Sequence, residues 1–265
     1  MQGVPRLSVS DETWLGGYAE SRVRLAFAAR YCRDRRVLDA GCGVGFGADY
    51  LLRQGAASVL GIDLSADAIH EAQAVFGRGN ARFRTGDLQR LREAADADGP
   101  FEVIVCFETL AHLADPAAFL QDAHALLGPG GVFILSTPHR EAVPHDASGK
   151  PYYPFSYTSY TVQGLDELVA VRFPQRRVLG QWLTPTGMLR KRRAETAFQY
   201  LCEGYYHPAA RIYRRLRGLL GKPVLPPPEG TVQSDSYDGD YELAPIDLPP
   251  VPWPPTILVA VGTRT

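Results

Sequence analysis

Three acids and a run of glycines set the first chemical question. The segment Val37-Leu38-Asp39-Ala40-Gly41-Cys42-Gly43-Val44-Gly45-Phe46-Gly47 turns a short apolar run into a glycine-rich loop. Glycine lets a backbone turn sharply and approach a ligand closely. The free N–H groups at the start of a following helix favour anionic groups. Asp63 stands 20 residues beyond Gly43 at the end of the next apolar run. A carboxylate there can accept hydrogen bonds from both ribose hydroxyls of an adenosine-type ligand. Asp87, in Gly86-Asp87-Leu88, can accept a hydrogen bond from an adenine amino group; capping a helix is its alternative use. The glycine spacing is G-x-G-x-G. Phe46 occupies the place where a dinucleotide fingerprint needs Gly or Ala, which argues against a nicotinamide oxidoreductase.

Alternating elements must position these residues. Arg36–Ala40, Ser58–Ile62, Ala81–Thr85, Phe101–Phe107 and Val132–Ser136 read as apolar strands. Helices are expected over Ala48–Gln54, Ala66–Phe76 (Ser65 as N-cap) and Pro116–Leu127, the last stopped by Gly128-Pro129-Gly130-Gly131. A helical stretch over residues 11–31 precedes them, with Ser10 or Asp11 as its cap. Ser159–Arg172 reads as a further helix, and Arg177–Leu183 and Thr256–Thr263 as further strands. Strand–helix alternation implies parallel βαβ units in an α/β doubly wound sheet. Such sheets bind ligands beyond the carboxyl ends of their strands. The organisation expected is a helical N-terminal cover (1–35), an α/β core (36–183), an insertion or lid (184–255) and a terminal core strand (256–265). The insertion is basic around Arg211–Arg217, then rich in proline and acid.

Composition narrows the classes. With 45% hydrophobic and 22% charged residues the chain is an ordinary globular type, and a net charge of −1 gives no global field for nucleic acid. Three lysines against 25 arginines, with abundant Ala, Gly and Pro, read as high-GC codon usage and a bacterial source. Cys32, Cys42, Cys106 and Cys202 form no CxxC, so no structural zinc or disulfide framework is expected. The N-terminus lacks an apolar core segment and no stretch approaches 18 apolar residues. A cytoplasmic protein that does not span a membrane is expected. No ligand spacing for a metal is evident at the strand ends, so activity is expected to survive chelation. The oligomeric state is not legible.

Five motifs together resemble the class I S-adenosylmethionine-dependent methyltransferases, in the small-molecule branch that includes ubiquinone and menaquinone methylases. They are VLDAGCGVGFG (37–47), GIDLS (61–65), TGDL (85–88), FETLAHLADP (107–116) and LLGPGGVFILSTP (126–138). The match covers residues 36–138 well, Phe155–Gln181 more loosely, and residues 184–255 not at all. It implies a mostly parallel seven-stranded sheet with a reversed last strand. It implies S-adenosylmethionine as cofactor. Gly41, Gly43 and Gly45, with Cys42, run along the methionine portion, and Asp39 holds the donor's ammonium. Asp63 takes the ribose hydroxyls and Leu64 lies against the adenine. Asp87 and Leu88 meet the adenine, and the backbone around Phe107 reaches the donor's amino group. Tyr18 of the N-terminal helix is counted with these donor contacts. Cys42 is read as packing, not as a nucleophile.

The acceptor side is less determined. Methyl transfer from a sulfonium needs alignment above all, and an oxygen or nitrogen acceptor also needs a proton removed. His112, after the fourth strand, is the candidate base, with Glu108 orienting it if that segment is helical; structural packing is the alternative. His139, where the branch usually has Asn, and Arg140 follow the fifth strand; a plain surface loop is their other reading. Tyr152, Tyr157 and Tyr160, with Tyr153 and Phe155, suit either a ring-bearing acceptor or a loop core. Tyr205, Tyr206 and His207 of the insertion complete the substrate candidates. The expected function is methyl transfer to O or N of a small-molecule acceptor, a natural product or sugar-containing metabolite among them. RNA or protein methylation is the alternative, though no Asn-Pro-Pro-Tyr-like motif follows strand four; a catalytically idle subunit of this fold is another.

Overall fold

A computed structural model describes residues 14–143, 149, 151, 156–185, 241–247, 249–250 and 254–265. In chain order the elements are α1 (Trp14–Cys32), β1 (Arg36–Ala40), α2 (Phe46–Arg53), β2 (Ser58–Asp63), α3 (Ala66–Phe76), β3 (Ala81–Thr85) and α4 (Leu91–Ala95). Then come β4 (Phe101–Phe107), α5 (Pro116–Leu126), β5 (Leu127–Pro138), α6 (Val162–Ala170), β6 (Gln175–Leu183), β7 (Tyr241–Pro245) and β8 (Ile257–Thr263). The strands order as β3-β2-β1-β4-β5-β8-β6-β7 in a single sheet. The first five run parallel, and β8 runs antiparallel to both β5 and β6. The last strand is thus reversed, as the resemblance implies.

Period-two alternation builds a core on each face of this sheet. Ile104, Cys106, Phe133 and Leu135 point to one side, under Leu91, Phe119, Leu120, Leu165 and Val169 of α4, α5 and α6. Val103, Val105, Val132 and Ile134 point to the other, under Leu25, Ala48, Leu51, Ile69 and Ala72 of α1, α2 and α3. Helix starts are fixed locally. Ser65 accepts from the Ala68 N–H at 3.2 Å, Asp115 from Ala118 at 3.0 Å with Pro116 in the first turn, and Thr161 from Gly164 at 3.1 Å.

The sheet has eight strands, not seven. The additional one is β7, which pairs beside β6 at the edge although it falls inside the stretch 184–255 expected to lie outside the sheet. The Gly-Pro-Gly-Gly run does not delay β5 to Val132. The strand begins at Leu127, and the surplus residues are absorbed by a register shift against Phe101 and Val103. α2 begins at Phe46, directly after Gly45, and α6 is shorter than the span Ser159–Arg172, because the Thr161 cap starts it. The sheet and its helices belong to one unit, residues 1–182 with 242–265. Most of residues 183–241, and with them most of the expected lid, lie outside the described residues, as do Ser10 and Asp11. No described helix is long and apolar enough to cross a membrane.

Candidate active site

The chain leaves β1 toward β2 and β3 and later returns to β4 on β1's other side, so the switch point of the sheet lies between the carboxyl ends of β1 and β4. The glycine loop fills that point. The N–H groups of Gly41 and Cys42 both donate to the Ile62 carbonyl, at 2.8 and 3.1 Å, which folds the loop across the end of β2. Gly41 has φ +87°, and a Cβ there would lie 2.2 Å from Thr109 Oγ1. Only glycine lets this turn press against the exit of β4. Gly43, at φ +52°, faces open space, with nothing within 4 Å of where a Cβ would stand. Its backbone is therefore accessible to a ligand on that side. Gly45 is the N-cap residue of α2.

Asp63 ties the loop to the next helix. Its Oδ2 accepts from the Gly43 N–H and its Oδ1 from the Ser65 N–H, both at 2.9 Å. A carboxylate offers about four lone-pair sites, so these bonds fix its orientation and leave acceptor capacity for a ligand's hydroxyls. Leu64 beside it is 66% exposed, an open apolar surface next to a polar anchor. The Gly86 N–H donates to the Asp63 carbonyl at 3.0 Å, bringing the exit of β3 alongside. There Asp87 caps a 3-10 turn, accepting from the Gln89 N–H at 2.9 Å. Its capping use is therefore real. Leu88 is buried in the core, so its side chain serves packing.

Asp39 is buried behind the loop. Its Oδ2 lies 3.0 Å from where a Cβ on Gly47 would stand, against the first turn of α2. Burial pushes its carboxyl up to about 7, and the nearby Asp63 charge adds to the rise. Cys42 Sγ packs against Gly61, and burial raises its thiol well above the ordinary range, which suits packing and not nucleophilic attack.

The exit of β4 departs from expectation. Glu108 adopts φ +55°, a left-handed conformation that a non-glycine residue adopts only under tertiary constraint. The constraint is Ser136 of β5. Ser136 Oγ donates to Glu108 Oε1 at 2.6 Å, and the Glu108 N–H donates to the Ser136 carbonyl at 3.1 Å. No continuous helix joins Glu108 to His112; only a 3-10 turn over Leu110–His112 forms. The expected orientation of His112 by Glu108 through helical spacing is thereby corrected, because the Glu108 carboxylate is committed across the sheet. His112 itself is half-buried on that turn, its N–H bonded to the Thr109 carbonyl at 2.9 Å, and Phe107 is half-exposed just before it.

Beyond β5 the substrate candidates separate. His139 is not on a surface loop: it is 5% exposed, and burial holds its imidazole below the usual range, against the opposing effects of Glu141 and a hydrogen bond with the Pro255 carbonyl. Tyr160 bridges to it in a parallel pair and is also buried. Arg140 is exposed, its guanidinium 3.4 Å from Ser159 Oγ and from the Gly149 carbonyl. Tyr157 is 66% exposed, and its N–H donates to the Ala111 carbonyl at 2.9 Å, which brings this segment against the His112 turn. Tyr152, Tyr205, Tyr206 and His207 lie outside the described residues, and of Tyr18 only the helical backbone is described.

Sequence reasoning missed Thr109 and Ser136, which meet Gly41 and Glu108 from far along the chain, and Thr137, which is buried at the end of β5. It also missed Arg24, 2% exposed, which donates to Gln181 Oε1 at 3.1 Å and pairs with no carboxylate among the described residues. No group of three or more His, Cys, Asp or Glu that could hold a metal occurs among the described residues.

The family model described as a methyltransferase domain matches residues 16–187. The chain belongs to the class I S-adenosylmethionine-dependent methyltransferases. S-adenosylmethionine is the cofactor of this family. A probable S-adenosylmethionine-dependent methyltransferase of Mycolicibacterium smegmatis is 38% identical over 112 residues, which is 42% of this chain and 41% of the relative. A ubiquinone biosynthesis O-methyltransferase of Paracidovorax citrulli is 39% identical over 113 residues, 42% of this chain and 46% of the relative. The chain thus spans less than half the length of these curated relatives. Among solved structures, an S-adenosylmethionine-dependent methyltransferase from Mesorhizobium loti superposes with a TM-score of 0.55 at 19% identity, covering 94% of this chain and all of the other, a likeness of fold.

Proposed function

We propose that this methyltransferase-family chain transfers a methyl group from S-adenosylmethionine to an oxygen or nitrogen of a small-molecule acceptor, as an enzyme of the bacterial cytoplasm. The observation that carries the reading is the Asp63 carboxylate, which spans the Gly43 and Ser65 N–H groups at the open side of the glycine loop. It is fixed in place yet keeps acceptor capacity for two ribose hydroxyls. Leu64 supplies an apolar face for the adenine and Asp87 a carboxylate oxygen for its amino group. The loop from Gly41 to Gly45 runs along the methionine portion, and Asp39 balances the ammonium.

In the transfer, an acceptor lone pair attacks the methyl carbon as the carbon–sulfur bond breaks, leaving a neutral thioether. The acceptor's proton passes to a base, for which His112 at the exit of β4 is assigned. The chain's main contribution is alignment of donor and acceptor. Acceptor choice is assigned to the insertion 184–255, most of which lies outside the described residues; a natural product or a sugar-containing metabolite fits this reading.

Calorimetry with S-adenosylhomocysteine tests it. Micromolar binding is expected, weakened in Asp63→Ala by about 1.5–3 kcal/mol for lost hydrogen bonds to a charged group. Equal affinity for NAD would refute the assignment. Incubation with labelled donor and a metabolite extract, followed by a mass search for methylated products, then identifies the acceptor.

A further inference from the structure

Three buried polar atoms lack a hydrogen-bond partner on one face at the carboxyl end of β5: Thr137 Oγ1, His139 Nδ1 and Tyr160 OH. Thr137 and His139 are two residues apart along one extended segment and so share a face. It is the face of Phe133 and Leu135, whose core cluster also contains Tyr160. Tyr160 is paired in parallel with His139, which sets their side chains on the same side. All three residues are more than nine-tenths buried. A buried polar atom without a partner costs about 1–3 kcal/mol. Three of them together are not a feature that packing alone retains.

We propose that Thr137, His139 and Tyr160 form a polar subsite that receives an uncharged hydroxyl or amide group of the methyl acceptor. This rests on the methyltransferase reading above and adds the chemical class of the group recognised. The donor–acceptor inventory supports the class. The threonine and tyrosine hydroxyls each donate or accept. His139 Nδ1 has no partner, and in the tautomer protonated at Nε2 it accepts a hydrogen bond from an O–H or N–H. None of the three groups brings a charge. The Arg140 guanidinium is turned toward Ser159 and Gly149, and so does not supply one. A carboxylate, phosphate or ammonium would therefore be poorly compensated here.

Position supports a ligand over a purely internal role. The carboxyl ends of strands are where such sheets take ligands. The segment carrying Tyr160 begins at Tyr157, whose N–H is bonded to Ala111 within the His112 turn. The subsite and the assigned base are thus joined by one short stretch of backbone.

The test uses the full chain, saturated with S-adenosylhomocysteine, and four probes: phenol, benzamide, benzoate and benzylammonium, titrated by ligand-observed NMR. Phenol and benzamide should bind more tightly than the two charged probes. Tyr160→Phe and Thr137→Val should each weaken phenol binding by roughly 2- to 12-fold, the range for one hydrogen bond. The His139 Nδ1 resonance should move on phenol addition. Benzoate binding as well as phenol overturns the proposal. So do unchanged phenol affinities in both variants, or variants that alter only thermal stability, which would mean that interior water fills the subsite. Retained S-adenosylhomocysteine binding with any of those results overturns this proposal alone. Absence of that binding in the unaltered chain overturns the methyltransferase reading and this one with it.

Discussion

Asp39 offers the sharpest test of the proposed donor site. It is buried against the first turn of α2, and its carboxyl sits near 7 instead of 3.8, chiefly because burial disfavours the charge and secondarily because Asp63 is close. The α2 N-terminus favours the carboxylate and opposes this, but not enough to cancel it. Between those two values the folded chain holds a proton that the unfolded chain has released. Stability associated with this group is therefore full below about pH 4 and is lost as pH rises through about 7. Fully developed, the difference is on the order of 4 kcal/mol. Relative to Asp39→Asn, which keeps the shape and removes the titration, the ligand-free chain should lose roughly 2–3 kcal/mol between pH 5 and 7.5.

Donor binding should show the opposite slope. An ammonium placed beside Asp39 favours the carboxylate, so binding expels the proton. S-adenosylhomocysteine affinity should then rise by about 20- to 30-fold from pH 5.5 to 7.5, approaching tenfold per pH unit at the acidic end. Urea unfolding at the two pH values measures the first effect. Calorimetry in buffers of different ionisation enthalpy measures the second, together with the proton released. Asp39→Asn should flatten both profiles and weaken donor binding. Equal slopes in the unaltered chain and the variant, or binding without proton release near pH 6, would refute the reasoning.

Two further outcomes follow from the loop and the exit of β4. Gly41→Ala should destabilise the fold by about 2 kcal/mol or more, because φ +87° and the approach to Thr109 Oγ1 both exclude a Cβ; adding Thr109→Ala should restore part of the loss in urea unfolding, since it removes the clash and leaves the backbone strain. Ser136→Ala should cost about 1–3 kcal/mol by leaving the Glu108 carboxylate without its 2.6 Å partner, with turnover falling further than stability predicts if the left-handed turn at Glu108 sets the position of His112.

What could be read from the chain was local. The apolar strand before Gly41, the 20-residue step from Gly43 to Asp63, and the Ser65 and Asp115 caps each depend on neighbours within one βαβ unit, and periodicity with capping chemistry finds them. What could not be read depends on residues brought together over long separations. Glu108 and Ser136 are 28 apart, and Arg24 and Gln181 are 157 apart. His139 looks exposed in sequence because a polar run follows it. It is buried because its backbone N–H reaches the Thr256 carbonyl, just before β8 inserts between β5 and β6, and because Tyr160 closes over it. β7 was hidden by a proline- and acid-rich context that lacks strand alternation. An edge strand needs only one neighbour and tolerates such residues.

This division has a chemical consequence. The donor carries the same adenosine, sulfonium and amino-acid groups whatever the acceptor, so the residues facing it can be specified by short motifs on adjoining units. An acceptor must be recognised by groups that differ from one enzyme to the next. The groups proposed for that task here stand where β4 and β5 end: a half-buried His112 on a strained exit, and buried polar atoms on Thr137, His139 and Tyr160. Thr137 Oγ1, His139 Nδ1 and Tyr160 OH have no hydrogen-bond partner in the folded chain, whereas Asp63 and Asp87 have already used part of their capacity to hold the loop and a helical turn. A carboxylate can divide itself between scaffold and ligand because it accepts several bonds at once. A single imidazole nitrogen cannot, so whichever group bonds to His139 Nδ1 fills it. Selectivity for the acceptor's polar group should accordingly be more sensitive to single substitutions at the β5 exit than donor affinity is to single substitutions along the glycine loop's backbone contacts.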